Sequence, residues 1–273
     1  ATFYVVSSIP VTVHQFNPLN GDGVYSNDAT LVLPINAYGK RYIAVGYPAS
    51  QSVDPKVYVD VVAAEANTRV VVTSPIAIPP SGSFAALAAN TPKEFTMQQG
   101  QLLHILGDGA VGTDLSGLTI ESDKPVAVFS GTRCANIPNE TSFCDHIEMQ
   151  LFPVETWGTE YHAAKFMPRG TEDDVWRIIA SEATTVSFAP PQNGQSTINL
   201  AARAVYEFRS KQDFIIKSQG APILVAQFMV GSEYPGVPAD VEVPAIIMES
   251  PCDAFSCSLE AQLYGFSGKC IPD

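Results

Sequence analysis

The chain of 273 residues is 46% hydrophobic and 16% charged, and its 28 acidic and 15 basic side chains give a net charge of −13. A surface this acidic repels phosphate backbones, which argues against nucleic-acid binding. No run of 18 apolar residues is present, so the sequence predicts no insertion into a membrane. The first residue is Ala1 rather than Met, and we interpret this start as a processed or truncated N-terminus.

Segments rich in β-branched and aromatic residues recur along the chain, and turn-forming residues separate them. They lie at 57–62, 69–73, 125–129, 175–180 and 222–228. A helical candidate at 85–90 is short and is followed by Thr91-Pro92, where a helix would stop. The low charged fraction also favours strands over surface helices, which need Glu, Lys and Arg. The sequence therefore predicts an all-β protein built from sandwiches or barrels.

An internal repeat relates the two halves of the chain. Leu33-Pro34, Tyr38-Gly39 and Tyr42 have the same spacing as Phe152-Pro153, Trp157-Gly158 and Tyr161. A proline suits the first residue of a strand, and a glycine after an aromatic residue allows close backbone approach. Because both copies keep them, we interpret six positions as architectural: Pro34, Tyr38, Gly39, Pro153, Trp157 and Gly158.

The repeat predicts two tandem, related β-sandwich units of jelly-roll type, at 30–148 and 149–240. The segment from Ser7 to Phe16 echoes the closing strand of a unit, although no earlier strands precede it. This strand either belongs to an upstream or neighbouring unit, with 1–29 as strand and linker, or completes a sandwich elsewhere in the chain. The remaining residues, 241–273, form a cysteine-containing C-terminal segment.

The chain contains five cysteines. Cys134 and Cys144 enclose a polar, turn-forming stretch, for which a disulfide that closes the loop is the natural interpretation, and such a disulfide implies an oxidising compartment. The loop also contains a glycosylation sequon at Asn139. The other three cysteines provide one further candidate disulfide and leave one thiol, which pairs outside this sequence, pairs between chains or stays free. They are Cys252, Cys257 and Cys270.

Two segments carry candidate ligand or metal residues. Asp108 and Asp114 lie in the glycine-rich stretch 107–117, where calcium binding is conceivable although the usual calcium-loop order is absent, and a plain hairpin loop is the alternative. If the residues after Cys144 form a strand, His146 and Glu148 share one face and could bind a metal or act as acid and base. The alternative is that a disulfide anchors this strand and that His146 forms a hydrogen bond that stabilises the corner. No other cofactor is indicated.

Motifs for nucleophilic catalysis are absent from the sequence: it contains no Gly-x-Ser-x-Gly elbow, no His-Glu-x-x-His and no phosphate loop. We therefore predict that the chain is not an enzyme.

The long stretch 114–134, together with 144–161, resembles the N-terminal domain family of IgG Fc-binding protein, and the resemblance covers roughly 3–235. It implies a secreted, disulfide-containing, β-rich module that supports adhesion or protein contacts at mucosal or cell surfaces, and it brings no catalytic residues. Carried over by position, Cys134 and Cys144 form the loop disulfide, and Trp157-Gly158 marks the start of the second unit.

These observations favour a binding or adhesion module of a larger secreted or surface protein, whose partners are other proteins or copies of itself. One alternative is a subunit of an extracellular fibre, in which the strand within 1–17 inserts into a neighbour. Another is a glycan-binding, lectin-like module that uses the 107–117 loop.

Overall fold

The computed structural model describes residues 2–17, 28–50, 56–82, 84–238 and 246–248. Within these ranges the chain is almost entirely β-structure, which confirms the all-β prediction. The strands are β1 (Val13–Asn17), β2 (Asp28–Val32), β3 (Gly39–Ile43), β4 (Val57–Ala63), β5 (Thr68–Thr73), β6 (Lys93–Met97), β7 (Leu102–Leu106), β8 (Thr119–Ala135), β9 (Asp145–Gln150), β10 (Glu160–Ala163), β11 (Asp174–Ala180), β12 (Thr184–Gln192), β13 (Gln195–Leu200), β14 (Val205–Ser210), β15 (Phe214–Ser218), β16 (Ile223–Phe228) and β17 (Ile246–Met248). Two 3-10 turns occupy Ile35–Ala37 and Val154–Thr156.

The first large sheet has the strand order β6-β5-β8-β4-β7, and β3 and β9 also pair with the long strand β8. In β4 the side chains of Val57, Val59 and Val61 point into the core. Tyr58 and Asp60 alternate with them and therefore lie on the opposite, outer face of the sheet. This alternation separates the inner face of the sheet, which lies in the core, from an outer face that carries both polar and apolar side chains.

The second half contributes two further sheets, ordered β14-β11-β16-β17 and β10-β15-β12-β13. Val175 and Ile179 of β11 belong to the core shared with the first sheet, whereas Trp176 and Ile178 belong to a separate core within the second half. Every residue of β11 and β16 is buried, so the middle sheet is covered on both faces. One of the two cores contains residues of both halves. The division into units at 30–148 and 149–240 stays a prediction.

Each copy of the repeat builds the same corner. Pro34 and Pro153 precede the two 3-10 turns in extended conformation. After the first turn the backbone N–H of Gly39 donates to the Tyr42 hydroxyl, which donates to the carbonyl of Val126. Gly158, Tyr161 and the carbonyl of Ile223 repeat this arrangement in the second copy. The two corners touch, since a Cβ atom at Gly39 would overlap Pro153.

The N-terminal strand pairs within the chain. β1 and β2 form an antiparallel two-stranded sheet in which Val13 lies opposite Val32 and Asn17 opposite Asp28. The strand therefore has a partner within the chain, and the assignment of 1–29 to an upstream or neighbouring unit stays a prediction. We call the pair the N-terminal hairpin.

No helix in the described ranges is long and apolar enough to cross a bilayer. Cys252, Cys257 and Cys270 lie outside the described residues.

Candidate functional site

The loop between β8 and β9 is closed by a disulfide. Cys134 lies next to the last residue of β8, Cys144 precedes β9, and their Cα atoms are 4.9 Å apart. The predicted pairing of these two cysteines is present in the structure. The bond joins residues ten positions apart and restricts the conformations that are open to the loop.

Contacts with the second half hold this loop in place. The N–H of Gly231 donates to the carbonyl of Ile137 (2.7 Å), and Arg209 forms an ion pair with Glu140. The Arg209 guanidinium also lies 5.6 Å from the centre of the Tyr234 ring. The loop therefore connects two strands of the first sheet and also contacts residues of the second half.

Phe143 lies in this loop, its side chain is 69% exposed, and its φ is 60°. A bulky residue with positive φ is uncommon and strained. We define the disulfide-loop surface as Glu140, Phe143, Arg209 and Tyr234.

The sequon residue Asn139 lies in the same loop and is exposed. The hydroxyl of Thr141 donates to the carbonyl of Pro138 (2.8 Å), so the sequon adopts a local turn. Glycosylation of Asn139 stays a prediction.

In the 107–117 loop, both carboxylates bind groups of the protein itself. Asp108 accepts hydrogen bonds from the N–H of Ala110 and the hydroxyl of Thr113, which lower its pKa. Asp114 accepts from the N–H of Ser116 and from Arg177 (2.7 Å). The residues that the structure describes contain no group of three or more His, Cys, Asp or Glu placed to hold a metal ion. The geometry of this loop thus gives calcium binding no support.

Arg177 is a residue that sequence reasoning missed. It lies in β11 and is 6% exposed, and its Nη1 donates to the carbonyl of Gly46 and to the hydroxyl of Ser116. Its Nη2 donates to Asp114, and its guanidinium lies 5.5 Å from the centre of the Tyr47 ring. The sequence contained one signal for a buried role of Arg177, namely that it is a single charged residue between apolar neighbours in a predicted strand. Arg177 connects the two halves through their shared core.

His146 and Glu148 lie on β9 and are buried beside Tyr58 on the outer face of the first sheet. The Tyr58 hydroxyl donates to Glu148 Oε2 (2.7 Å), and its ring stacks on His146 at 6.4 Å. Burial lowers the pKa of His146 and raises that of Tyr58. A Cβ atom at Gly131 would overlap the Tyr58 ring, so this glycine makes room for it. The contacts fit a structural role, and the metal or acid–base role stays a prediction.

The N-terminal hairpin is tied to the same carboxylate. Gln15 Nε2 donates to Glu148 Oε1 (2.5 Å), and the N–H of Glu148 donates to Asp28 Oδ2 (2.8 Å). Burial raises the pKa of Asp28 to about 7, against the lowering effect of the N–H groups of Glu148 and Ala29. The negative charges of Glu148 and Asp145 raise it further. Sequence reasoning did not connect Gln15 or Asp28 with this cluster.

An open cavity of about 720 Å³ lies between the N-terminal segment and the outer face of the first sheet. Val62, Leu102 and Phe129 form its sheet wall. Asp60 lines it as well and is held 2.5 Å from His104 Nδ1, a contact that raises the pKa of His104. The cavity is therefore mainly apolar, with carboxylates that already have partners.

Comparison with known proteins shows the family to which this chain belongs. The family model described as IgGFc binding protein matches residues 28–266, and the chain belongs to this family. The IgGFc-binding protein of Homo sapiens is 29% identical over 161 residues, which are 59% of this chain and 3% of that protein. The chain thus corresponds to a small part of this relative. No solved structure gives a significant match.

Proposed function

We propose that the chain is a non-catalytic binding module of a secreted protein, and that it contacts a protein partner through the disulfide-loop surface. The observation that carries this proposal is the exposed, strained Phe143 on a loop anchored by Cys134–Cys144 and by Arg209. Family membership supports a protein as the ligand.

The composition of the surface supports this role. Aromatic residues and Arg are enriched at protein interfaces, and Tyr and Arg are frequent among the residues that dominate binding energy. A positive φ at a residue with a side chain costs about 1–3 kcal/mol and persists where the surroundings fix it. At Phe143 the disulfide and the contacts with the second half provide that constraint. The anchored loop would lose little conformational entropy on binding.

The first partner to test is the Fc region of IgG, because the human relative is named for binding it. Surface plasmon resonance would measure binding of the oxidised 273-residue chain to immobilised Fc. We expect Phe143→Ser to weaken binding by about 30-fold, equivalent to about 2 kcal/mol. The matched control is Val111→Ser, which replaces an apolar residue that is 65% exposed in a different loop.

Equal binding by both variants and the unmodified chain would refute the disulfide-loop surface as the contact. A lack of binding by the unmodified chain would refute Fc as the partner.

A further inference from the structure

Residues 2–12, which we call the N-terminal arm, precede β1 without regular secondary structure and bend at Ser8 and Ile9. They contain no charged residue, although the chain as a whole has a net charge of −13. The arm nevertheless exposes large apolar side chains: Phe3 is 92%, Tyr4 72%, Val6 73% and Ile9 69% exposed. Monomeric proteins rarely expose a contiguous apolar segment of this kind without using it in an interaction.

The arm is held in place at both ends. The Thr2 hydroxyl donates to the carbonyl of Gly100 in the turn between β6 and β7 (2.5 Å), and the other end continues into β1. A segment that is tethered at both ends loses less conformational entropy when it pairs with another strand than a free segment does.

The backbone of the arm is available for such pairing. In the described structure, regular strand pairing begins at Val13, and within the arm the N–H of Ile9 donates to the nearby hydroxyl of Ser7. β1 pairs on one side with β2 and forms an edge of their two-stranded sheet. Extended segments with open backbone groups bind other strands by main-chain hydrogen bonds.

The cavity of about 720 Å³ lies directly beside the arm and has room for further apolar side chains. Val5 and Val6 of the arm and Val62, Leu102 and Phe129 of the sheet all line it. The arm therefore combines exposed apolar side chains, open backbone groups and an adjacent apolar space.

We propose that two copies of this chain associate through their N-terminal arms, which pair antiparallel about a two-fold axis and fill each other's cavities. The charge distribution favours a second copy as the occupant. Two chains of net charge −13 repel each other over most of their surface, whereas the uncharged arm lets them meet with little repulsion. With a two-fold axis each arm pairs with the arm of the other copy, and no arm is left to bind a third copy.

The area available is sufficient for a stable pair. An aromatic side chain brings roughly 150–250 Å² into an interface, and aliphatic ones somewhat less. The large apolar residues of two arms then supply on the order of 1,000–1,500 Å², which reaches the range of specific interfaces. This surface is separate from the disulfide-loop surface, so the dimer does not depend on the binding function proposed above.

Sedimentation velocity of the 273-residue chain over a range of concentrations tests the proposal. We expect a dimer of twice 29.2 kDa to predominate at roughly 100 μM. Val6→Arg should weaken association by about 100-fold, because two like charges would face each other across the axis. Val6→Glu should have the same effect, and an equimolar mixture of the two variants should restore the dimer.

The matched control is Val111→Arg, which adds the same charge at a similarly exposed position outside the arm and should leave the dimer intact. The proposal is overturned if the unmodified chain sediments at 29.2 kDa at roughly 100 μM, or if Val6→Arg and Val111→Arg behave alike. Growth into longer polymers would overturn the closed two-fold arrangement. Because Phe143→Ser tests the other surface, failure of either proposal is recognised separately.

Discussion

Replacing Asp28 with Asn should flatten the pH dependence of the stability of this protein. The folded state raises the pKa of Asp28 from 3.8 to about 7, so it binds the proton more strongly than the unfolded chain does. The stability linked to this group is therefore fully present below about pH 4 and is lost as the pH rises through about 7. The asparagine side chain cannot ionise, and the Asp28→Asn variant should lack this contribution.

The magnitude follows from the two pKa values. One unit of pKa difference corresponds to about 1.4 kcal/mol, and between pH 5 and pH 8 the site accounts for a loss of about 2.5 kcal/mol in the free energy of unfolding. The pKa values of His104 and Asp174 are also raised, so these groups likewise reduce stability as the pH rises. The pKa of His146 is lowered, so this group increases stability as the pH rises. The unmodified chain and the Asp28→Asn variant both contain these three groups. The difference between their pH profiles of stability therefore gives the contribution of Asp28.

Urea unfolding followed by tryptophan fluorescence at pH 5 and pH 8 measures the global effect. Hydrogen exchange of β1 and β2 measures opening of the N-terminal hairpin, after correction for the intrinsic pH dependence of exchange. The matched control is Glu182→Gln, which removes an exposed carboxylate and should leave the profile of the unmodified chain unchanged. If the Asp28→Asn and unmodified chains gave parallel pH profiles in both measurements, the conclusion that Asp28 binds a proton more strongly in the folded state would be refuted.

Three further predictions concern the disulfide, the buried ion pair and the sequon. Replacing Cys134 and Cys144 together by Ser should lower the free energy of unfolding by about 3 kcal/mol, because the unfolded chain is no longer constrained; urea titration measures it. Arg177→Met should cost about 2 kcal/mol and lower Tm, because it leaves the buried carbonyl of Gly46 without its donor and removes the cation that pairs with Asp114 and Glu207. Asn139 should carry a glycan in chain secreted from eukaryotic cells, seen as a mass loss on enzymatic deglycosylation.

Each of these has a matched comparison. Arg209→Met breaks the exposed pair with Glu140 and should cost less than about 1 kcal/mol, so an equal loss at Arg177 would contradict its buried role. Reduction of the unmodified chain should reproduce the cysteine variant, and unchanged stability in both would argue against a stabilising loop. Asn139→Gln should abolish the mass loss, and its persistence would place the glycan elsewhere.

Five of the strands, β4, β5, β8, β11 and β16, were predictable because segments rich in β-branched and aromatic residues lie between turn-forming residues. The disulfide loop was also predictable, since Cys134 and Cys144 enclose a short polar turn. His146 and Glu148 were expected on one strand face, but the Tyr58 hydroxyl that meets Glu148 comes from a residue 90 positions away in the chain. Local patterns contain no signal for such a partner.

By itself the sequence determined an all-β chain with a duplicated corner and a disulfide-closed loop, because strand-forming residues, turn residues and repeat spacing are local properties. Only the tertiary structure decided that the sheet containing β11 and β16 is buried on both faces and joins the two halves. It also decided that Arg177 meets Asp114, and that Gln15 and Asp28 meet Glu148. These contacts depend on how whole sheets stack, and apolar surfaces drive that stacking without a directional signal in the sequence.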